Sequence, residues 1–461
     1  MTYSNAIAAT PQYLIEKYNV PGPRYTSYPT VPFWHQMPTE EDWKQLVKES
    51  FDCSVKEEGV SIYIHLPFCS SLCTYCGCNT RITVNHGVEQ PYIEALLAEW
   101  KLYLELFEEK PYIKEIHLGG GTPTFFSPEN LGALLEQLTE HAILCENASL
   151  GFEGHPKNTT KEHLQCLYDL GFRRLSLGIQ DFNADVQIII NRIQPFEMVE
   201  EVTKNARAIG YTSINYDLIF GLPLQTLQTI EDTIQKVNLL RPDRIAFYSY
   251  AHVPWLKPSQ RMFTDDILPT DAAKRALYQL GKQRFEEMGY VEIGMDHFAL
   301  PTDELYQAVK NKHLHRNFMG YSPNHTRLMI GLGASSISDA WTGFTQNVKK
   351  VEEYTALVHE GKFPFYRGHV LSEQDLVLRQ HILNLMCHLE TTWNKEDLAN
   401  PFIQQALDKL VEMEKDGLIQ LLPKQLLITE KGRPFVRNVC MALDEYLWKQ
   451  KPTTQLFSQV I

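Results

Sequence analysis

SIYIHLPFCSSLCTYCGC, residues 61–78, runs a β-branched and aromatic stretch straight into a loop holding four cysteines. Ser61–Leu66 has the composition and length of a buried strand. Outward from it one rhythm repeats. Short apolar runs at Ile113–Leu118, Ser149–Glu153, Arg174–Leu177, Ser213–Ile219 and Arg244–Tyr250 alternate with longer segments, at 88–106, 128–141, 161–170, 197–209 and 229–240, whose apolar residues recur every three or four positions. Ser127 before Pro128 is an N-cap followed by proline at the first helical position. Six strand–helix alternations predict an α/β fold, an incomplete parallel (β/α)6 barrel with its helices outside.

Folds of this kind gather their chemistry at the C-terminal ends of the strands, and the polar and glycine-rich phrases fall there. Pro67-Phe68-Cys69 follows the first run, Gly119 to Thr124 (GGGTPT) the second and Gln180 to Asn183 (QDFN) the fourth. Asp217 and Gly221-Leu222-Pro223 lie on and after the fifth. Spacings of three and two residues between Cys69, Cys73 and Cys76 let one loop wrap a cubane iron–sulfur cluster. Three ligands leave one iron open to chelate a substrate or cofactor. Two other readings stay open at this point. Zinc normally uses cysteine pairs set further apart, and a Cys73–Cys76 dithiol would normally open a helix.

With Tyr75 before the third cysteine, this loop resembles the signature of radical S-adenosylmethionine enzymes. Tyr63 to Cys69 (YIHLPFC), Cys78, GGGTPT, Phe182, Asn191-Arg192, residues 294–298 (GMDHF), 315–318 (HRNF) and the C-terminal phrase ending at Cys440 narrow the resemblance to the oxygen-independent coproporphyrinogen III oxidase (dehydrogenase) family. It runs from Pro21 to about Leu447. The resemblance implies one four-iron four-sulfur cluster on Cys69, Cys73 and Cys76, and S-adenosylmethionine held by Tyr63, Tyr75, Cys78, Gly120, Gly121, Thr122, Glu153, Gln180, Arg192, Asp217 and Ala251. Ile337 and Phe318 fit a second S-adenosylmethionine, although Met319 stands where family members often carry a glutamine associated with that site. His155 likewise replaces a more usual aspartate. No side chain is assigned as catalytic, because the cofactor carries the radical. The implied reaction takes a hydrogen from a propionate of coproporphyrinogen III and loses carbon dioxide, leaving a vinyl group; two rounds give protoporphyrinogen IX. A haem-binding chaperone of the same superfamily and a radical methyltransferase acting on a porphyrin are the alternatives. Cys78 and the GPRYTSYP phrase at 22–29 argue against the chaperone.

The organisation expected is an N-terminal arm over 1–55, a barrel over 56–300, a connecting segment over 301–369 and a mainly helical, winged-helix-like domain over 370–461. Three prolines between 21 and 29 keep the arm extended. Arg24 and Tyr25 are its candidates for substrate contact, since propionates need cations and a macrocycle needs aromatic faces, and Phe318 joins them. Residues 417–433 have the cadence of a wing hairpin. The remaining cysteines, Cys53, Cys145, Cys166, Cys387 and Cys440, read as small core residues.

Composition sets limits. A net charge of −13 over 461 residues disfavours a general nucleic-acid binder. No apolar run approaches the roughly 18–20 residues that span a bilayer. The N-terminus lacks a signal-peptide pattern, so a cytoplasmic monomer is expected, supplied with electrons by a flavodoxin- or ferredoxin-type protein.

Overall fold

The structure, a computed structural model, describes residues 12–54, 57–449, 457 and 459. The first eleven residues of the expected arm, the expected boundary at 55–56 and most of the chain after Lys449 lie outside the described residues. The chain divides into a larger unit, His35–Ala308 with Pro323–Val370, and a smaller one, Met1–Trp34 with Val309–Ser322 and Leu371–Ile461.

In the larger unit the six expected strands are β1 (Val60–Leu66), β2 (Tyr112–Gly120), β3 (Ile143–Gly154), β4 (Arg174–Gln180), β5 (Ser213–Phe220) and β6 (Arg244–Ser249). All neighbours pair in parallel. Helices Glu89–Leu104, Pro128–Glu140, Lys161–Asp169, Phe196–Ile209 and Leu227–Leu240 connect them, and the Ser127 side chain accepts from the Asn130 N–H as its cap. β1 is buried at every position except Tyr63, as a strand covered on both faces must be.

The sheet is wider than six strands. β7 (Leu328–Leu332) lies parallel to β1, with Val60 opposite Leu328. Antiparallel strands extend both edges, Ile337–Asp339, Gly343–Asn347 and Phe365–Val370 beyond β7, and His297–Ala299 and Val291–Gly294 beyond β6. The twelve strands run in one linear order from edge to edge, an incomplete barrel.

Two sequence expectations need correction. Residues 40–54, read as part of a non-periodic arm, form the helix Glu40–Ser54. Trp43, Val47 and Phe51 are buried at four-residue spacing, Phe51 stacks on Phe107 with ring centroids 4.0 Å apart, and three acids in the first turn favour its N-terminus. Of the five scattered cysteines only Cys387 and Cys440 are buried, whereas Cys145 and Cys166 are half-buried and Cys53 is exposed.

Glu99, fully buried, pins the approach to the Ile337 strand. Its carboxylate accepts from Gly333 N (2.8 Å), Tyr354 Oη (2.7 Å) and Asn347 Nδ2 (2.7 Å). Burial outweighs these donors and pushes its acid group up from 4.5 to about 7. The folded chain therefore holds this proton more tightly than the unfolded chain, and the stability the group contributes is full below about pH 4.5 and lost as pH rises through about 7. Glu99→Gln is expected to flatten that slope in urea titrations at several pH values. It should also cost about 1–3 kcal/mol, because the new amide N–H2 faces the donor Asn347.

The smaller unit is helical around a three-stranded sheet. Helices Glu373–His388, Pro401–Lys415 and Val436–Ala442 accompany strands Glu390–Thr392, Ile419–Leu422 and Gln425–Ile428, the last two forming the expected wing hairpin. The N-terminal segment is stitched to these helices. Lys17 and Tyr18 both donate to Asp416 (2.7 and 2.6 Å), Arg437 Nη1 donates to Gly22 O (3.3 Å), Tyr25 Oη donates to Asp444 (3.1 Å), and Tyr28 Oη accepts from Glu445 N (3.2 Å). Among the described residues no helix is long and apolar enough to cross a membrane.

Candidate active site

The cysteine loop leaves the C-terminal end of β1 and is closed at its base by a two-strand clip. Phe68 and Cys69 pair with Arg81 and Ile82, Arg81 N donates to Pro67 O (2.7 Å) and Thr83 N to Cys69 O (2.9 Å). Three further ties suspend the turn. Thr74 N donates to Ile190 O (3.0 Å), Asn191 Nδ2 to Leu72 O (2.7 Å) and Gln260 Nε2 to Tyr75 O (3.1 Å). Gln260 is 2 % exposed and also bonds Ala251 O (3.2 Å) and Val253 N (2.6 Å), so one amide fixes both the loop and the segment after β6.

Each of the three cysteines meets a different donor. Cys69 Sγ lies 3.3 Å from Thr122 Oγ1, Cys73 Sγ accepts from Arg192 Nη1 (3.5 Å) and Cys76 Sγ accepts from Cys78 N (3.4 Å). Hydrogen bonding from the Cys78 thiol, against the opposing effect of burial, lowers Cys76 to about 6, while burial pushes Cys69 up to about 11. Among the described residues no three His, Cys, Asp or Glu side chains close on a single metal ion. A cubane needs no such convergence, since its irons sit at separate corners. The soft thiolate set fits an iron–sulfur cluster, and a Cβ at Gly77, between Cys76 and Cys78, would meet only open space.

The glycine phrase ending β2 packs against the end of β1. Gly120 has φ +109, and a Cβ there would stand 2.7 Å from His65 Nδ1. Gly121 N donates to Leu66 O (2.8 Å) and Thr122 N to Phe68 O (3.0 Å). His65 is held in turn, its Nε2 bonded to Asn79 O (2.9 Å) and its Nδ1 to Tyr63 Oη (3.2 Å).

One face of the sheet carries the charged groups. Glu153, Ser176 and Asn215 are laterally in register across β3, β4 and β5. Glu153 meets His117 Nε2 at 3.3 Å, and the His117 ring stacks over Tyr63. Asp217 accepts from Asn215 Nδ2 (2.8 Å) and Ser176 Oγ (3.2 Å). Burial, and then the charge of Glu153, raise it to about 6. Tyr63, Tyr75, Arg192 and Asp217 lie deep in protein yet keep solvent contact, the mark of a concave site.

Arg192 is clamped across the end of β4. Its Nε and Nη2 both donate to Gly178 O (3.1 and 2.5 Å), and a Cβ at Gly178 would stand 2.7 Å from Nη2. Beside it a register shift carries Gln180 to φ +67, a strained conformation of the sort that collects at functional sites. His155, at the end of β3, is held neutral by burial and then by the charge of Arg192, its pKa lowered to about 3. Its Nδ1 accepts from Lys157 N (3.1 Å), which leaves Nε2 as the protonated nitrogen.

Ile337 opens its strand in the same sheet. Arg24, Tyr25 and Phe318 belong to the smaller unit. Tyr25 is 4 % exposed at φ +47 with its hydroxyl on Asp444, Arg24 O accepts from Arg316 Nη2 (3.3 Å), and Phe318 makes an edge contact with Trp34. Met319 N donates to Asn317 Oδ1 (2.9 Å).

Sequence reasoning passed over His65, His117, Ser176, Asn215 and Gln260. Of these, His65 carried a local signal. Tyr63 and His65 are two apart on a strand and share a face, with Ser61 on that face and Ile62, Ile64 and Leu66 on the other. Gln260 sits in an irregular segment where no period marks it.

Residues 63–237 match the radical SAM superfamily. Two relatives, both named oxygen-independent coproporphyrinogen III oxidase, are each 37 % identical: one from Synechocystis sp. over 97 % of this chain and 97 % of its own length, one from Escherichia coli over 97 % and 98 %. The solved structure of coproporphyrinogen III oxidase (HemN) from Escherichia coli, described as a radical SAM enzyme, superposes with TM-score 0.87 at 35 % identity, over 92 % of this chain and 98 % of that one.

Proposed function

The chain belongs to the oxygen-independent coproporphyrinogen III oxidase family of radical SAM enzymes, and from that premise we propose how its residues divide the work. It is an oxidoreductase of haem biosynthesis that uses a four-iron four-sulfur cluster and S-adenosylmethionine for the oxidative decarboxylation of coproporphyrinogen III. When bound, the cluster and S-adenosylmethionine would supply the one-electron chemistry of the decarboxylation, and the rest falls to the protein.

Cys69, Cys73 and Cys76 hold the cluster, with Thr122, Arg192 and the Cys78 N–H directed at their sulfurs; such donors tune a cluster's potential. Gly120, Gly121 and Thr122 offer backbone to the cofactor's amino group, and Arg192 takes its carboxylate. Asp217, steadied by Ser176 and Asn215, accepts from the ribose, with Glu153 and Gln180 beside it. Ala251 borders the adenine, Tyr63 and Tyr75 wall the cleft, and Ile337 contacts cofactor. Arg24, Tyr25 and Phe318 serve the substrate, two propionates of which become vinyl groups. The chain works as a cytoplasmic monomer reduced by a small electron-carrier protein. The carrying observation is the suspended three-cysteine loop with Arg192 and Thr122 aimed at it.

The deciding experiment is anaerobic reconstitution and dithionite reduction with coproporphyrinogen III. A product lighter by two formic-acid equivalents supports decarboxylation. Stoichiometric haem binding with no mass loss would overturn it in favour of a chaperone.

Asp217 gives a pH signature. Its carboxyl is neutral below about pH 6 and ionised above, and an ionised acceptor binds a hydroxyl more strongly. S-adenosylmethionine affinity should therefore rise as pH increases through about 6. Asp217→Asn should weaken binding roughly tenfold to a hundredfold and abolish the pH dependence, as read by equilibrium titration. A variant with the wild-type pH profile would remove Asp217 from the cofactor.

A further inference from the structure

The cysteine loop is ringed by exposed apolar side chains that the chemistry above does not use. Ile82 stands opposite Cys69 in the clip, with Val84 just beyond. Leu72, whose carbonyl holds Asn191, is exposed, and so are Ile188 and Ile193 on either side of that asparagine. Trp255, Leu256 and Met262 flank Gln260, which bonds Tyr75. These eight side chains are between 42 and 76 % exposed, far more than scattered surface apolars explain around one loop.

Charge is skewed at the same place. Segments 69–85, 188–194 and 251–262 contain not one aspartate or glutamate, in a chain whose net charge is −13; Arg192 is turned inward onto Cys73 and Gly178, which leaves Arg81, Lys257 and Arg261 as the collar's cations. Two acids reach these segments from elsewhere, Glu352 on Arg81 and Asp265 on His252. An apolar, cation-bearing collar on an acidic protein is complementary to an acidic partner with an apolar contact face.

We propose that this collar is the docking surface for a small acidic one-electron carrier protein that reduces the cluster. The proposal rests on the reading of Cys69, Cys73 and Cys76 as cluster ligands. One electron passes from carrier to cluster with no bond made or broken; for a flavin carrier, an anionic hydroquinone becomes a neutral semiquinone.

The test uses a bacterial flavodoxin with Trp255→Ser, Met262→Ser and Arg261→Glu, none of which lies among the cofactor residues. Affinity for oxidised flavodoxin, measured by calorimetry on the full chain, should fall about tenfold or more in each variant, and Arg261→Glu should also lower its salt dependence. In stopped flow, cluster reduction by flavodoxin hydroquinone should slow by a similar factor while reduction by dithionite stays unchanged. Unchanged flavodoxin affinity would overturn the proposal, as would equal slowing with dithionite. Dimers of the wild-type chain that Trp255→Ser dissociates would also overturn it, by identifying a second copy as the occupant. Iron counting tests the ligand reading separately, and calorimetry on the cluster-free chain decides docking whatever that count shows.

Discussion

Alanine at Cys69, Cys73 or Cys76 is expected to yield protein that folds but retains essentially no iron or sulfide after anaerobic reconstitution, with decarboxylation at background. On the proposed ligation, two remaining thiolates would not anchor the cubane. The loop's fixed points, the clip at Cys69–Ile82 and the ties through Thr74, Asn191 and Gln260, are independent of the sulfurs and should keep the fold. Cys78→Ala is expected to keep its iron, because the backbone N–H that reaches Cys76 Sγ survives the change. Iron content and circular dichroism of all four variants decide it. A cluster lost from Cys78→Ala and retained by Cys69→Ala would reverse the assignment.

Gly120→Ala should be nearly as damaging. Its φ of +109 is hostile to any side chain, and the added Cβ would stand 2.7 Å from His65 Nδ1. His65 cannot swing away without breaking its bonds to Asn79 O and Tyr63 Oη. Backbone strain and overpacking together cost roughly 2–5 kcal/mol, and the displaced glycine phrase should weaken S-adenosylmethionine binding at least about tenfold. Gly361→Ala is the control, since its φ is +73 and its Cβ would meet nothing within 4 Å; it measures the backbone part alone. Urea midpoints and cofactor titrations that rank the two variants equal would refute the close approach at His65.

Between residues 60 and 250 the fold could be read from the chain because strand and helix alternate locally, and each period speaks for its own segment. β7 escaped because its identity depends on Val60 meeting Leu328, a pairing that no local period records. The helix Glu40–Ser54 escaped for a different reason. Its Trp43, Val47 and Phe51 stripe is regular, but the proline-rich stretch before it set the tone for the whole segment. At the site, the cysteines announce themselves by type and spacing, whereas Arg192 and Asp217 are reached through the family resemblance. Ser176 and Asn215 become meaningful only once β4 and β5 lie side by side, and Gln260 only once tertiary structure brings it to Tyr75.

The smaller unit is assembled from three stretches, and this sets a timetable for synthesis. Tyr25 must wait for Asp444, 419 residues later, and Lys17 for Asp416, 399 residues later. At ribosomal speed that is roughly 20–80 s, and these two contacts form only after the whole parallel sheet has emerged. A premature stop between residues 371 and 415 would remove every one of these partners and leave Lys17, Tyr18, Tyr25 and Tyr28 without them.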